Sequence, residues 1–249
     1  GYRRGMDNGK AMLYNIRFFP SGEDEYDAVI DENTGTATFE FEQYGTGKSL
    51  IRVAGQRIFF INAPGTMDIY IDLQEAGRQS SRYHKTEKAE PVIFFTGTNA
   101  AINHALNNKN DRYKLKLQGE EFLEKIAGMN ADEFTDYVIT QYKNISDEIK
   151  QSTGLSNLEK DLLDNENRVN VHYLILSGGY QLEMAYRYKN KIPWEQRVLE
   201  NFKQPLFTEK QYEVIKVCPS EGSKFLYTES FPYIYPIYFS SKVSLKTIT

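Results

Sequence analysis

The sequence predicts an α+β protein, in which an N-terminal antiparallel β-sandwich is followed by an all-helical region. Short runs of strand-forming residues, separated by Gly, Pro and Asn, fill the first 97 residues. Beyond residue 97, long segments carry apolar residues at helical spacing. The chain has 249 residues, which exceeds one average domain. We therefore predict two domains, residues 1–97 and residues 98–249.

Seven short runs predict the strands of the first domain. They are residues 12–19, 26–31, 36–41, 49–54, 57–62, 67–73 and 92–95. In the third run, Phe39 and Phe41 fall on one face and Glu40 and Glu42 on the other, which is the period of a half-buried strand. The turn residues 31–35 before this run favour a hairpin with the second strand.

Capping-box spacings, each followed by an apolar helical stripe, predict two long helices. The capping pairs are Asn130 with Glu133 and Ser156 with Glu159. The first stripe continues to Ile149. The second reaches Gly178-Gly179, which ends or kinks the helix because each glycine costs about 1 kcal/mol in a helix interior. Shorter helical segments are expected at 194–202 and 208–217, and the latter begins with a capping box.

Charge and cysteine usage exclude several functions. The chain has 30 basic and 34 acidic residues, so it lacks the basic excess that nucleic-acid binding needs. No run of 18 apolar residues predicts a transmembrane segment. Cys218 is the single cysteine, so neither an internal disulfide nor a CxxC pair can form within these residues. A buried structural thiol is a commoner role for such a residue than a reactive one.

Two short motifs imitate ligand sites. Residues 45–49 resemble the end of a phosphate-binding loop, but Glu42 stands where that pattern needs glycine, so a hairpin turn is favoured. Residues 31–35 resemble the start of a calcium loop, but Thr36 stands where that pattern needs glycine. His104 and His172 share no ligand spacing, and nothing selects a catalytic set around them. We predict no catalytic residue, no cofactor and no metal.

Two segments are the predicted interaction surfaces. Residues 74–91 are polar and predict a long exposed loop that carries basic and aromatic side chains. The tail 231–239 is aromatic and is interrupted twice by proline, which excludes an ordinary central strand. The candidate contact residues are Arg78, Arg82, Tyr83, His84, Tyr233, Tyr235 and Tyr238.

The segment 59–72, with the sequence FFINAPGTMDIYID, resembles part of a β-sandwich domain of unknown function. That domain lies at the front of secreted TlpA-like thiol-disulfide oxidoreductases of Gram-negative bacteria. Residues 93–97, followed by Asn99, Asn103 and Leu106, are similar to the strand, glycine and helix that close it. Residues 205–208 and 212–215 resemble the helical connector that leads, in that family, into a thioredoxin fold.

This resemblance implies an extracytoplasmic protein of the periplasm or cell envelope, with its signal sequence removed. The family's chemistry needs a second cysteine to resolve a mixed disulfide, and Cys218 is followed by Pro, Ser and Glu. The expected function is therefore a non-catalytic accessory or interaction module with a protein partner, associated with a thioredoxin-like oxidoreductase. The alternative is a glycan- or peptide-binding β-sandwich protein of the cell envelope, and an enzyme with an unrecognised site is the third possibility.

Overall fold

The computed structural model describes residues 9–17, 22–80, 92–107, 111–199, 201–213 and 228. It confirms the α+β class, with antiparallel sheets in the N-terminal part and helices after them. The strands are β1 (Lys10–Arg17), β2 (Gly22–Val29), β3 (Gly47–Val53), β4 (Gln56–Asn62), β5 (Met67–Ile71) and β6 (Ile93–Gly97). The helices are α1 (Leu73–Ser80), α2 (Ala100–Asn107), α3 (Gly119–Ile126), α4 (Ala131–Gln151), α5 (Asn157–Leu176), α6 (Gly178–Asn190) and α7 (Glu209–Tyr212).

The chain divides into two compact units, Gly1–Lys109 and Asn110–Thr249, which we call the β unit and the helical unit. Helix α2 belongs to the β unit, whereas the sequence placed the boundary before it, at residue 97. The reason is packing, because α2 lies against strands β4 and β6.

Two antiparallel sheets form the β unit. The first has the strand order β2-β1-β3-β4, and the second pairs β5 with β6. The register of the first sheet sets Tyr14 of β1 opposite Leu50 of β3, and Leu50 opposite Phe59 of β4. Leu13 and Phe60 of the first sheet share one apolar core with Phe95 of the second. The two sheets therefore bury a common interior, as a sandwich does.

Helix α2 covers an edge of each sheet with two consecutive side chains. Asn103 is fully buried; its Oδ1 accepts the Ile61 N–H at 2.7 Å, and its Nδ2 donates to the Ile61 carbonyl at 2.9 Å. The next residue, His104, places Nε2 2.9 Å from the carbonyl oxygen of Phe95. Ile61 lies in the edge strand β4, and Phe95 lies in β6. The helix thus satisfies strand edges that would otherwise be unpaired.

The hairpin predicted after β2 is wrong, although its side-chain alternation is correct. Phe39 and Phe41 pack against the core, and Glu40 is exposed. The turn forms, with the Asp31 N–H donating to the Thr36 carbonyl at 2.9 Å, but no strand ladder follows it. The inward side chains instead hold residues 37–43 against the face of the first sheet.

The predicted loop at 74–91 begins with helix α1, which corrects the first part of that prediction. The Asp72 carboxylate accepts the Glu75 N–H at 2.8 Å and so caps the helix. Arg78 then forms an ion pair with Glu75 one turn earlier, at 2.6 Å. Residues 81–91 lie outside the described part of the chain.

In the helical unit, the predicted capping boxes form at Asn130 with Glu133 and at Ser156 with Glu159, and the one predicted at residue 208 forms between Thr208 and Gln211. Helix α5 ends at Leu176 and α6 begins at Gly178, so the glycine pair marks a break between two helices. The segment 194–199 is not helical, contrary to expectation, because the chain reverses after α6. The core of the unit draws residues from α3 to α6; among them are Phe122, Phe134, Val138, Val171, Ile175 and Leu182.

A second buried asparagine ties an irregular segment to helix α5. Asn167 is fully buried, and its Oδ1 accepts the Leu115 N–H at 2.8 Å. Its Nδ2 donates to the Tyr113 carbonyl at 2.8 Å. Tyr113 ends a single helical turn, and residues 114–115 belong to no helix or strand. The Asn167 side-chain amide therefore supplies the hydrogen bonds that a helix or a sheet would otherwise have given.

Helix α7 is attached to the first turn of α4 through one carboxylate. Asp132 accepts a hydrogen bond from the ammonium group of Lys210 at 2.8 Å and another from the side-chain amide of Gln211. The hydrogen bond from Lys210, with the attraction of its charge and the bond from Gln211, lowers the pKa of Asp132. In turn, the hydrogen bond to Asp132 and the attraction of its negative charge raise the pKa of Lys210.

Replacing Asn103 with Ala should lower the free energy of unfolding of the β unit by about 2 to 4 kcal/mol. The substitution leaves the buried N–H and carbonyl of Ile61 unpaired, and each such group costs about 1 to 3 kcal/mol. Urea unfolding followed by circular dichroism measures the change. Asn107→Ala is the matched control on the same helix, because Asn107 is only partly buried; an equal loss in both variants would contradict the role given to Asn103.

The contact between Asp132 and Lys210, which attaches α7, should stabilise the helical unit at neutral pH and lose that effect both at low pH and at high pH. A lowered carboxyl pKa contributes stability above the unfolded value of about 3.9, and that contribution is lost as pH falls through the folded pKa. A raised Lys pKa contributes stability below about 10.4, and that contribution is lost as pH rises through the folded pKa. Asp132→Asn should therefore lower the Tm of the helical unit at pH 7 and leave it unchanged at pH 2. A persistent difference at pH 2 would contradict this assignment.

Candidate functional site

One face of helix α6 carries large side chains that do not enter the core. Tyr180, Met184, Arg187 and Tyr188 follow one another at positions i, i+4, i+7 and i+8, which lie on one side of a helix. Tyr180 is 50 % exposed. The opposite face carries Leu182 and Ala185, which pack in the core of the helical unit. The helix is therefore fixed from behind and presents an aromatic stripe in front.

The start of α6 is fixed by a close contact that only glycine permits. A Cβ atom at Gly178 would lie 2.2 Å from the ring of Phe207, so the ring packs directly on the helix backbone. The same ring meets Phe134 edge to face, with centroids 6.0 Å apart. This contact sets the position of α6 against α4.

The chain reverses at the end of α6 and returns along its stripe. Lys191 adopts the left-handed conformation, with φ of 54°, and the Ile192 N–H donates to the Arg187 carbonyl at 2.9 Å. The guanidinium of Arg187 then donates to the carbonyls of Pro193 and Gln196, each at 3.0 Å. Arg187 is only 5 % exposed, and Glu183 neutralises its charge at 2.8 Å. One buried cation thus holds the returning segment.

Trp194 lies on this returning segment and is 54 % exposed. Its ring stacks on Tyr180, with centroids 6.0 Å apart and planes 26° apart. The Arg187 guanidinium lies over the Trp194 ring, 4.6 Å from its centroid. A guanidinium over a tryptophan face contributes about 0.5 to 1 kcal/mol when exposed and more when desolvated. The aromatic pair is therefore held in one orientation while still open to solvent.

The aromatic pair lines a groove between α6 and α3, which we call the Trp194 groove. Its volume is about 820 Å³, within the range of ordinary ligand sites. Its far wall comes from Leu123, Glu124 and Ala127 at the end of α3. Lys189, Lys191 and Ile192 complete the lining near the reversal.

The groove combines an apolar floor with a few charged groups at its edges. The Tyr188 hydroxyl lies 3.5 Å from the Glu124 carboxylate. Burial, followed by the nearby Glu120 and Glu124 carboxylates, raises the pKa of Tyr188, so that hydroxyl stays protonated and can donate at neutral pH. Lys189 and Lys191 are exposed. Such a surface can contact apolar side chains and pair with a carboxylate.

The predicted interaction residues do not converge in the described part of the chain. Arg78 lies on α1 and donates two hydrogen bonds to Glu75, at 2.6 and 2.7 Å. The others lie outside the described residues; they are Arg82, Tyr83, His84, Tyr233, Tyr235 and Tyr238. Cys218 also lies outside them. These residues stay predictions.

Of the two described histidines, His104 is exposed on α2 and His172 is buried. The ring of His104 meets Phe95 edge to face, with centroids 5.6 Å apart, while its Nε2 contacts the backbone of the same residue. His172 is buried in α5. Within the described residues, no group of three His, Cys, Asp or Glu side chains could hold a metal ion, and no helix is long and apolar enough to cross a membrane.

A polar network joins α4 and α5 away from the groove. The Asp164 carboxylate accepts hydrogen bonds from the Tyr142 hydroxyl at 3.2 Å and the Ser146 hydroxyl at 2.7 Å. Arg168 pairs with the same carboxylate at 2.7 Å. Burial, and then the charge of Asp164, raises the pKa of Tyr142. Every named group has a partner within the network, so it serves to join two helices.

The fold and the groove together define a two-unit α+β protein with an aromatic groove in its helical unit. Comparison with protein-family models, with curated proteins and with solved structures finds no match for this chain.

Sequence reasoning missed the groove, although part of its signal is readable. Trp194 is the only tryptophan, and it directly follows a proline at the start of the predicted helical segment 194–202. We assigned it to a further helical segment, which hid the reversal. The spacing of Tyr180, Met184 and Tyr188 matches a helical stripe, but that spacing alone does not say which stripe enters the core.

Replacing Arg187 with Met should release the returning segment. The carbonyls of Pro193 and Gln196 lose their charged donor, and hydrogen bonds to charged groups contribute about 1.5 to 3 kcal/mol each. We expect the free energy of unfolding to fall by about 3 kcal/mol and the fluorescence anisotropy of Trp194 to fall. Glu183→Gln is the matched control, because it leaves Arg187 in place. Unchanged anisotropy in Arg187→Met would contradict the clamp.

Proposed function

We propose that this protein is a non-catalytic interaction module and that its Trp194 groove binds an extended peptide segment of a protein partner. The observation that carries the proposal is the exposed Trp194 and Tyr180 pair, held in place by the buried Arg187. Folding alone would favour covering such rings, since burial of an aromatic side chain stabilises a protein.

Preorganisation is the main support for binding. Trp, Tyr and Arg dominate the energetics of protein interfaces, where a few such anchors carry most of the affinity. Arg187 fixes the backbone of the Trp194 segment through two carbonyls, so little entropy is lost when a ligand orders that segment. A partner would therefore meet a rigid aromatic surface.

The lining favours a peptide over a glycan. Leu123, Met184 and Ile192 give the groove apolar walls, and methionine adapts to differently shaped apolar side chains. A sugar needs many hydrogen-bond partners and an open ring face. Here Arg187 lies over the Trp194 ring. The glycan alternative is retained as an outcome of the binding test.

The extracytoplasmic location and the association with a thioredoxin-like oxidoreductase remain parts of the proposal. Their support is the sequence resemblance of residues 59–72, which lie in β4, the turn at Gly65 and β5. The gene sequence beyond Thr249 tests this association. A downstream CxxC within a thioredoxin-like pattern would support it, and a stop codon close to Thr249 would count against it.

Selection of a displayed peptide library on the protein tests the groove. Trp194→Ala and Tyr180→Ala should each weaken binding of an enriched peptide by at least about tenfold, the scale of a modest hot spot. Because Trp194 is the only tryptophan, its emission reports binding directly in the unmodified protein. Tyr180→Ala also leaves that reporter in place.

Val198→Ala is the control for the peptide test, since Val198 is highly exposed and does not line the groove. Equal binding by all three variants would refute the groove as the contact surface. A response of Trp194 emission to oligosaccharides, with none to any selected peptide, would replace the peptide by a glycan.

A further inference from the structure

Residues 37–42 of the β unit form an extended segment that has no backbone partner among the described residues. Burial alternates along it residue by residue, which is the period of an extended chain. Among the described contacts, no backbone N–H or carbonyl of these six residues takes part in a hydrogen bond. The Glu42 carboxylate accepts a hydrogen bond from the Tyr44 hydroxyl at 2.6 Å, and that bond leaves the backbone groups unpaired. The segment thus has the shape of a strand and lacks a ladder.

Contacts of the inward side chains hold this segment in place. The ring of Phe41 lies 5.3 Å from that of Tyr26 in β2, centroid to centroid. At the end of the segment, the Asn15 side-chain amide donates to the Gln43 side-chain carbonyl at 3.0 Å. Phe39 packs against the core of the β unit. The backbone is therefore positioned by one face, and its hydrogen-bonding groups are left for another partner.

Two of the strand edges of the β unit, those of β4 and β6, are covered by side chains of helix α2. Asn103 satisfies the edge of β4, and His104 contacts the edge of β6. Residues 37–42 have no equivalent cover among the described residues. An extended, fixed strand with open backbone groups is the template that β-strand addition uses.

We propose that residues 37–42 bind an extended strand of a partner protein through backbone hydrogen bonds, and that this strand carries Lys or Arg at alternate positions. Glu40 and Glu42 project from the exposed face, and neighbouring strands place same-face side chains side by side. Opposite charges across that pair are favourable. The apolar residues of the added strand would extend the inward row of Phe39 and Phe41.

The charge also decides against a second copy of this chain as the occupant. Pairing two copies of the segment would bring Glu40 and Glu42 of each against the same residues of the other, and like charges on paired strands repel. The site is independent of the Trp194 groove, because it lies in the β unit and uses backbone groups rather than aromatic rings.

Hydrogen exchange of the full chain with the peptide acetyl-Lys-Val-Lys-Val-Lys-Val-Lys-amide tests this site. At a peptide concentration ten times the Kd, amides of residues 37–42 that pair with the peptide should exchange about tenfold more slowly. Two N-methylated forms of the peptide carry methyl groups on alternate amides, in the two possible phases. One of the two N-methylated peptides should no longer slow exchange at residues 37–42, and the other should still slow it. The reason is that only alternate amides of a strand donate hydrogen bonds to the strand beside it.

The charge requirement is tested by Glu40→Lys combined with Glu42→Lys, which should transfer protection to acetyl-Glu-Val-Glu-Val-Glu-Val-Glu-amide. Glu23→Lys combined with Glu25→Lys, on exposed positions of β2, is the matched control and should keep the original preference. Absence of protection at 37–42 would overturn the proposal. So would equal loss of protection with both N-methylated peptides, or protection of the segment by self-association at high protein concentration without peptide.

Discussion

Two fully buried asparagines supply the hydrogen bonds on which each unit depends. Asn103 and Asn167 each present one acceptor and one donor to a backbone N–H and a backbone carbonyl, so each side chain acts as a short piece of neighbouring strand. A buried backbone group without a partner costs more than an average hydrogen bond gains. The apolar core of each unit can therefore close only where these amides are in place.

The same principle explains why a rigid surface forms outside regular structure. Arg187 pairs with two carbonyls of the segment after α6, as the asparagines pair with β4 and residues 113–115. Segments without a ladder are normally the mobile parts of a fold. Here a buried side chain makes one of them a fixed platform for Trp194. Hydrogen bonds from a buried polar side chain to backbone groups, which secure the core elsewhere, thus also produce the candidate binding surface.

Sequence patterns predicted the parts of this fold that follow local rules. The capping boxes at Asn130 and Ser156 formed because their hydrogen bonds connect residues three positions apart, and such bonds need no tertiary contact. The apolar alternation at Phe39 and Phe41 was likewise correct, because it reports which side faces the core. The strand ladder expected there, with the adjacent strand β2 across the turn 31–35, did not form, because side-chain contacts of Phe41 with Tyr26 and of Gln43 with Asn15 set the place of the segment.

The candidate site escaped prediction for the same reason, because its residues gain their roles only through long-range placement. Nothing local distinguishes Asn103, which pairs with strand β4, from any other asparagine on a polar helix. From the sequence, Arg187 would be expected to be an exposed basic side chain in the last turn of a helix. In the structure it is almost fully buried. Polar side chains that satisfy distant backbone groups have no periodic signature. In this protein such side chains decide which segments are rigid and which backbone groups remain without a hydrogen-bond partner among the described residues. The candidate binding surfaces therefore follow from the pattern of backbone hydrogen bonds, and no sequence motif marks them.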